Sequence, residues 1–339
     1  MLASREQINA WLRDKKTRDK TIRFTAPNWE VFIRDRLRPA LESGSITMPE
    51  LVRFLGEIEE YGHQHVFLFR VPKKSVSEYL NPDHLAVAAK ALQAEDVIEE
   101  PIAVDEPTRP VLADLRIDKT ASGTPKALVA KVIETRWYRV LIDQSQSEGV
   151  VRAGTQYKRV VTKRYGEVSV RAVNVVQLNS SGLVEVRIRT HETALDYQRE
   201  CSSLLLRLKD LLPPRAYSQY PISNAKANLW DRKDQLRDRI EPGTSFLRNP
   251  KGTVMTMSPG EEQGNLLGDK GALGSIDLFV RERGSFDKAD YRVRRADTDA
   301  PGGATQTHVL LGEMNECVIL GQCSRQDHEN VLDLIVNNN

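Results

Sequence analysis

Between residues 151 and 175 the chain sets six cations, Arg152, Lys158, Arg159, Lys163, Arg164 and Arg171, against one acid, Glu167, and interleaves them with Tyr157 and Tyr165. That combination suits a nucleic acid, because cations release counterions from a phosphate backbone and flat rings offer stacking surface to bases. A period of two over 167–178 and 183–190, with Asn179-Ser-Ser-Gly182 between, predicts a hairpin. Val168, Val170, Ala172 and Val176 share one face with Val184, Val186 and Ile188. Arg171, Arg187 and Arg189 fall on the opposite face and would extend the basic track across the sheet. The sequence holds no recognition-helix motif, so phosphate contacts predict binding largely independent of base sequence. A basic run of this kind also serves many proteins simply as a solvated face.

Two acids further on suggest metal chemistry. Gly274-Ser-Ile-Asp-Leu-Phe279 and His308-Val-Leu-Leu-Gly-Glu-Met-Asn315 resemble, over 274–315, the core of a PD-(D/E)xK nuclease. In that family an Asp ends one strand and a Glu-x-Lys ends the next. The resemblance implies Asp277 and Glu313 as ligands of Mg²⁺, which generates and orients the attacking water. Asn315 stands where that family has its lysine, a departure that removes the cation. Lys270 or Arg281 would then have to supply the charge from another element.

Other candidates carry less. His63-Gln-His65 puts two imidazoles on one strand face, but no Cys, Asp or Glu follows at ligand spacing, so a polar start to a strand is expected rather than a metal site. Cys201, Cys317 and Cys323 make neither a disulfide framework nor a zinc set. Walker, dinucleotide and serine-elbow motifs are absent from the sequence, and the glycine-rich stretch 264–274 reads as a loop.

The elements that would position these residues follow from period and punctuation. Capping boxes at Ser4-Arg-Glu-Gln7 and Thr47-Met-Pro-Glu50, a helix carrying Trp29, Phe32 and Leu37 and disturbed at Pro39, and Asn81-Pro82 opening another predict a helical first third. Within it His65-Val-Phe-Leu-Phe-Arg-Val71 reads as a strand. Strands are expected at 127–134, 136–143, 167–178 and 183–190, then a helix bearing Tyr197, Cys201, Leu204, Leu205, Leu208 and Leu212. The last third predicts a helix over 223–240, strands at 253–257, 275–280, 290–294, 308–311 and 316–320, and a terminal helix at 326–335.

These elements predict an α+β protein: a mainly helical segment 1–92, an acidic, proline-bearing linker 93–111, an antiparallel α+β domain with a basic face over 112–215, and a β-rich α+β domain over 216–339. Tyr61-Gly-His-Gln-His-Val-Phe-Leu-Phe69, set between a helical start and a β domain, resembles the layout of the centromere protein N family over residues 30–140. That resemblance implies binding of nucleosomal DNA and partner proteins without catalysis.

Charge is segregated along the chain. Residues 1–40 carry +5, 41–118 carry −8, 119–215 carry +8 and 216–339 carry −3, giving the net +2. Blocks of this size can steer an anionic partner to one face. They also allow the basic block to meet an acidic partner, or block 41–118 of a second copy. The expectation is therefore a non-enzymatic nucleic-acid-binding protein, with DNA the preferred partner and no cofactor, acting in a larger assembly for genome defence or chromosome maintenance. A Mg²⁺-dependent nuclease and a protein scaffold or homo-oligomer are the alternatives. Reduced cysteines and no apolar run of roughly 20 residues point to the cytosol or nucleus.

Overall fold

The computed structural model describes residues 8, 11–12, 28–99, 101–102, 106–153, 156–191, 196–260, 264–294, 306–321 and 323–339, with side chains for all of these except 99 and 144–162. The capping box at Ser4-Gln7 lies outside the described residues.

Asn28 caps the first helical stretch, α1 (Trp29–Phe32), its side chain accepting from the Val31 N–H. Pro39 widens this helix rather than ending it: a π-helical turn (Ile33–Leu37) precedes the proline, and α2 (Arg38–Glu42) carries on past it. Proline has no N–H to donate and its ring crowds the carbonyl four residues back, which a π turn relieves. α3 (Met48–Glu60) begins at the expected capping box of Thr47 and Glu50. Phe32, Ala40 and Ile46 form a small core here with Ile8 and Leu12.

β1 (Gln64–Arg70) leaves this helical layer, and α4 (Lys73–Tyr79), α5 (Pro82–Ala91) and α6 (Asp96–Glu99) follow. Four strands come next: β2 (Val111–Lys119), β3 (Pro125–Ala153), β4 (Gln156–Asn179) and β5 (Leu183–Arg189). α7 (Tyr197–Arg207), β6 (Ser218–Gln219), α8 (Ser223–Asp231), β7 (Ile240–Arg248) and β8 (Val254–Met257) lead into α9 (Lys270–Arg281). β9 (Ser285–Arg294), β10 (Gln306–Leu311), β11 (Glu316–Ile319) and α10 (Arg325–Asn337) close the chain.

All eleven described strands join one antiparallel sheet in the order β2-β3-β4-β5-β1-β11-β10-β9-β7-β8, with β6 pairing β1. β1 sits at its middle. Val66 and Leu68 feed one core and Phe67 and Phe69 the other, which is why this strand reads as an unbroken apolar run. Helices α4, α5 and α7 cover one face of the first half. Helices α8, α9 and α10 cover a face of the second. Main-chain pairing therefore crosses both the 93–111 stretch and the 215/216 boundary. Among the described residues, no helix is long and apolar enough to cross a membrane.

The α+β class holds, while several element boundaries differ from expectation. Residues 127–134 and 136–143 belong to one long strand, β3. The helix expected over 223–240 stops at Asp231, and β7 begins at Ile240; Pro242 is accommodated at a register break between Pro242 and Ser245. The strand expected at 275–280 is instead the second half of helix α9. Its N-cap is Asp269, inside the stretch read as a glycine loop, and Ala272 and Ile276 are buried at helical spacing.

Candidate nucleic-acid interface

β3 and β4 are longer than the sheet that holds them. β2 pairs with β3 only as far as Ile133, and β5 pairs with β4 only over 175–178. From Arg136 to Ala153 on β3, and from Gln156 to Val170 on β4, the described pairings are of these two strands with each other. The hairpin thus leaves the sheet as a two-stranded ribbon, with register breaks at Leu141/Asp143 and Ser147/Val151. At about 3.3 Å per residue its reach is on the order of 50 Å. Bulges strengthen the right-handed twist that two-stranded ribbons already carry.

Most of the residues singled out for nucleic-acid binding map onto this ribbon. Lys163, Arg164 and Tyr165 are exposed near its described end, Tyr165 at 56%. Arg152, Tyr157, Lys158 and Arg159 occupy strand positions farther out, Arg152 opposite Tyr157, and their side chains lie outside the described residues. The structure adds residues that sequence reasoning passed over. Trp137 is 63% exposed, on the same face as Lys163 and Tyr165; Arg139 stands beside it, 3.9 Å from Glu167 across the strands. An exposed tryptophan within a strand has no sequence signal of its own; only the ribbon's projection beyond its neighbours reveals it.

The sheet arginines require a correction. Val176, Val184, Val186 and Ile188 are buried as the alternation predicts, but the opposite face of the hairpin is covered too, wholly at Arg187 and partly at Arg171 and Arg189. Arg187 is fully buried: its guanidinium donates to Gln177 Oε1 at 2.7 Å and to the Glu60 carbonyl at 3.2 Å, and it stacks over the Tyr61 ring. Arg171 is ion-paired with Glu59 at 2.8 Å. Burial, followed by the nearby Arg136 charge, lowers the Arg189 pKa. Val168 and Val170, expected inward, are exposed because they lie past the end of the covering layer. The physical reason is that α3 and α10 roof this face: α3 brings the acids Glu59 and Glu60, and α10 sets Arg325 and His328 against the sheet acids Asp118 and Glu185.

Those acids form a buried ionic layer. Glu60, at the end of α3, contacts Lys131 at 2.8 Å and Arg116 at 2.9 Å, and Arg116 also reaches Asp114 and Asp118. Arg325 of α10 approaches Asp118 at 3.5 Å, and His328 of the same helix meets Glu185 at 2.9 Å. Burial opposes the Glu60 charge, yet Lys131 and then Arg116 outweigh it and hold the carboxyl down at about 2. Much of the opposition between the acidic and basic blocks is thus satisfied within the chain. The ribbon cations are what project from it.

Asp277, Glu313 and Asn315 are not brought together as the nuclease pattern requires. Asp277 lies on helix α9, where its Oδ1 accepts from Trp230 Nε1 at 2.7 Å and from Lys233 Nζ at 3.4 Å. Glu313 sits in the turn between β10 and β11. It lines a cleft of about 540 Å³ with Lys226, Arg248 and Asp287. Lys226 there is buried, donating to the main-chain oxygens of Asp287 and Gly312 at 2.7 and 2.9 Å. Asn315 is buried too, its amide donating to Leu68 O at 2.8 Å. Lys270 and Arg281 lie at the two ends of α9. Asp277 stands on a helix rather than at a strand end, and among the described residues no group of three or more His, Cys, Asp or Glu is placed to hold a metal. Asp277→Ala is expected to lower stability by about 1–3 kcal/mol, since it strands the indole N–H of a buried tryptophan. A thermal melt matching the unsubstituted protein would show the bond to be dispensable.

His65 is occupied as well. Its Nδ1 lies 2.5 Å from Glu316 Oε1 and its ring stacks on Tyr197 at 3.4 Å. The nearby Cys201 thiol is pushed up to about 12 by burial and then by Glu316, which makes it a poor nucleophile. Cys317 and Cys323 are buried as well. No protein-family model matches this chain, and no curated protein matches it either.

Proposed function

We propose that the protein binds nucleic acid, duplex DNA foremost, through the projecting β3–β4 ribbon, in a binding rather than a catalytic role. The observation that carries this reading is the exposure of Trp137, Tyr165 and Lys163 on one face of a ribbon that, among the described residues, no other strand accompanies. Lys163, with Arg152, Lys158 and Arg159 farther out, supplies phosphate contacts, and the rings supply stacking or groove contacts. DNA is favoured because the major groove of a B-form duplex admits a two-stranded ribbon, whereas that of A-form RNA is too narrow for side chains to read. Arg187 takes no part, and Arg171 and Arg189 belong to the sheet rather than to the ribbon. Phosphate contacts without a recognition helix leave the binding largely indifferent to base sequence.

The test is a binding titration over salt with the full chain and two unrelated DNA duplexes. Replacing Lys158, Arg159 and Lys163 together with alanine is expected to weaken both duplexes equally and to lower the salt slope by about 0.9 for each phosphate no longer neutralised. Unchanged affinity and slope would remove the ribbon from the reading; no retention of any nucleic acid at low salt would end it.

A further inference from the structure

Where β1 begins and β5 ends, the fold gathers hydrogen-bond donors and leaves them without acceptors. The Thr190 N–H donates to the His63 carbonyl at 3.1 Å and ties the two strand ends together. In the register Gln64 stands opposite Arg189. Among the described residues the partly buried Arg189 guanidinium has no ion pair and no hydrogen bond, and neither does the His63 ring. The Thr190 hydroxyl is buried and equally unpaired. The acids beside them are already taken: Glu134 holds Arg136 at 2.5 Å and Glu316 holds His65 at 2.5 Å. Arg136 adds a second cation, its guanidinium donating to the Arg189 carbonyl at 2.6 Å. Burial, then Arg189 and then His65 lower the His63 pKa, so the imidazole lies within the same positive field.

A partly buried charge without a counter-charge is costly, and donors lacking acceptors call for a partner rich in acceptors. A phosphate group is such a partner, and a guanidinium is the side chain best matched to it. We propose that Arg189, Thr190 and His63 form a subsite for one phosphate of the nucleic-acid backbone, a reading that rests on the ribbon as the nucleic-acid interface. The register supports the placement. Arg189 shares a sheet face with Arg187, and through the Arg187–Val175 pair that face runs along β4 to Ser169, opposite Trp137. At about 3.3 Å per residue and 4.8 Å per strand, Arg189 stands roughly 16 Å from Trp137. That is a span of about five base pairs of duplex. Arg171 lies between them in the register and is neutralised by Glu59 at 2.8 Å, so the phosphate track passes from the ribbon to Arg189 without it.

The experiment is a salt titration of the full chain on a DNA duplex, joined to urea denaturation of each variant. Arg189→Met is expected to weaken binding and to lower the salt slope by about 0.9, the value of one phosphate contact. Its urea midpoint should be no lower than that of the unsubstituted protein, because an unpaired charge has been removed. Arg189→Lys, which keeps the charge, should restore the slope. Thr190→Val should weaken binding at unchanged slope, since the hydroxyl is neutral. Lys163→Ala reads the ribbon in parallel: a slope lowered there but not by Arg189→Met would overturn the subsite and leave the ribbon standing. A urea midpoint lowered by Arg189→Met would give the guanidinium a partner within the chain and overturn the proposal. The same fall with Glu192→Gln, at the next acid in the sequence, would name that partner. No binding of DNA by the unsubstituted chain would end both readings. Protection against urea by inorganic phosphate in that case, lost in Arg189→Met, would assign the donors to a free phosphate ion and overturn the backbone as its source.

Discussion

Glu60→Gln is expected to lower the free energy of unfolding by about 3–5 kcal/mol, read as a lower urea midpoint at unchanged slope. The carboxylate is almost wholly buried and touches two cations, Lys131 at 2.8 Å and Arg116 at 2.9 Å. Arg116 keeps Asp114 and Asp118 after the substitution. Lys131 keeps the Gly56 carbonyl at 3.2 Å but loses the carboxylate paired with it, so a buried ammonium is deprived of its nearest counter-charge. Removing the charge at both ends, with Glu60→Gln and Lys131→Met together, should recover part of that stability, because an apolar pair of similar volume costs less than one orphaned ion. If the double variant were no more stable than the additive expectation, the pair would not be the cause.

The same group predicts acid sensitivity with a definite sign. Its folded pKa of about 2 lies below the ordinary 4.5. The stability it contributes is therefore fully present above about pH 4.5 and is lost as pH falls through that value toward 2. The shift corresponds to about 3 kcal/mol across the window. The unsubstituted protein should lose stability faster than the Glu60→Gln variant between pH 5 and 2. Parallel acid transitions for the two would exclude Glu60 as a contributor.

How far this architecture was legible depended on which competing interaction each residue met. Thr47, Glu50, Asn81 and the turn Asn179–Gly182 act through hydrogen bonds within a few residues, and all stand where the sequence puts them. The valines of the β4–β5 hairpin were readable because a period of two fixes which side chains share a face. The same period is silent on what lies over the other face. Polar alternation fits water and fits a roof of polar helix groups equally well, and here α3 and α10, far from the hairpin in sequence, supply the roof. The opposed charge blocks held the missing clue, since charges of opposite sign separated along a chain can meet on folding. α9 was missed for a different reason: glycines at 268, 271 and 274 weaken a helix signal that Ala272, Ile276 and Val280 carry at intervals of four. β2 went unread beside the linker, and a bulge at Ala113 interrupts its alternation.

Arg187 and Lys163 test the separation of structure from binding most directly. Both belong to one basic block in the sequence, but the fold gives them opposite surroundings. Arg187 lies between Gln177, the Glu60 carbonyl and Tyr61, with Glu185 4.0 Å away, and no solvent reaches it. Burial works against its charge, and Tyr61, Glu185 and Glu60 overcome that and raise its pKa. Arg187→Met should cost about 3–5 kcal/mol by taking a cation from Glu185, which keeps His328, and by removing the donor to Gln177 Oε1. Its salt slope for DNA should equal that of the unsubstituted protein, since a fully buried guanidinium neutralises no phosphate. Lys163 is exposed on the ribbon, so Lys163→Ala should change stability by no more than about 0.5 kcal/mol and lower the salt slope by about 0.9. Chemical denaturation and salt titration on the two variants read both quantities. A reduced slope with normal stability for Arg187→Met would return that arginine to the binding face and show that the hairpin opens when DNA is bound.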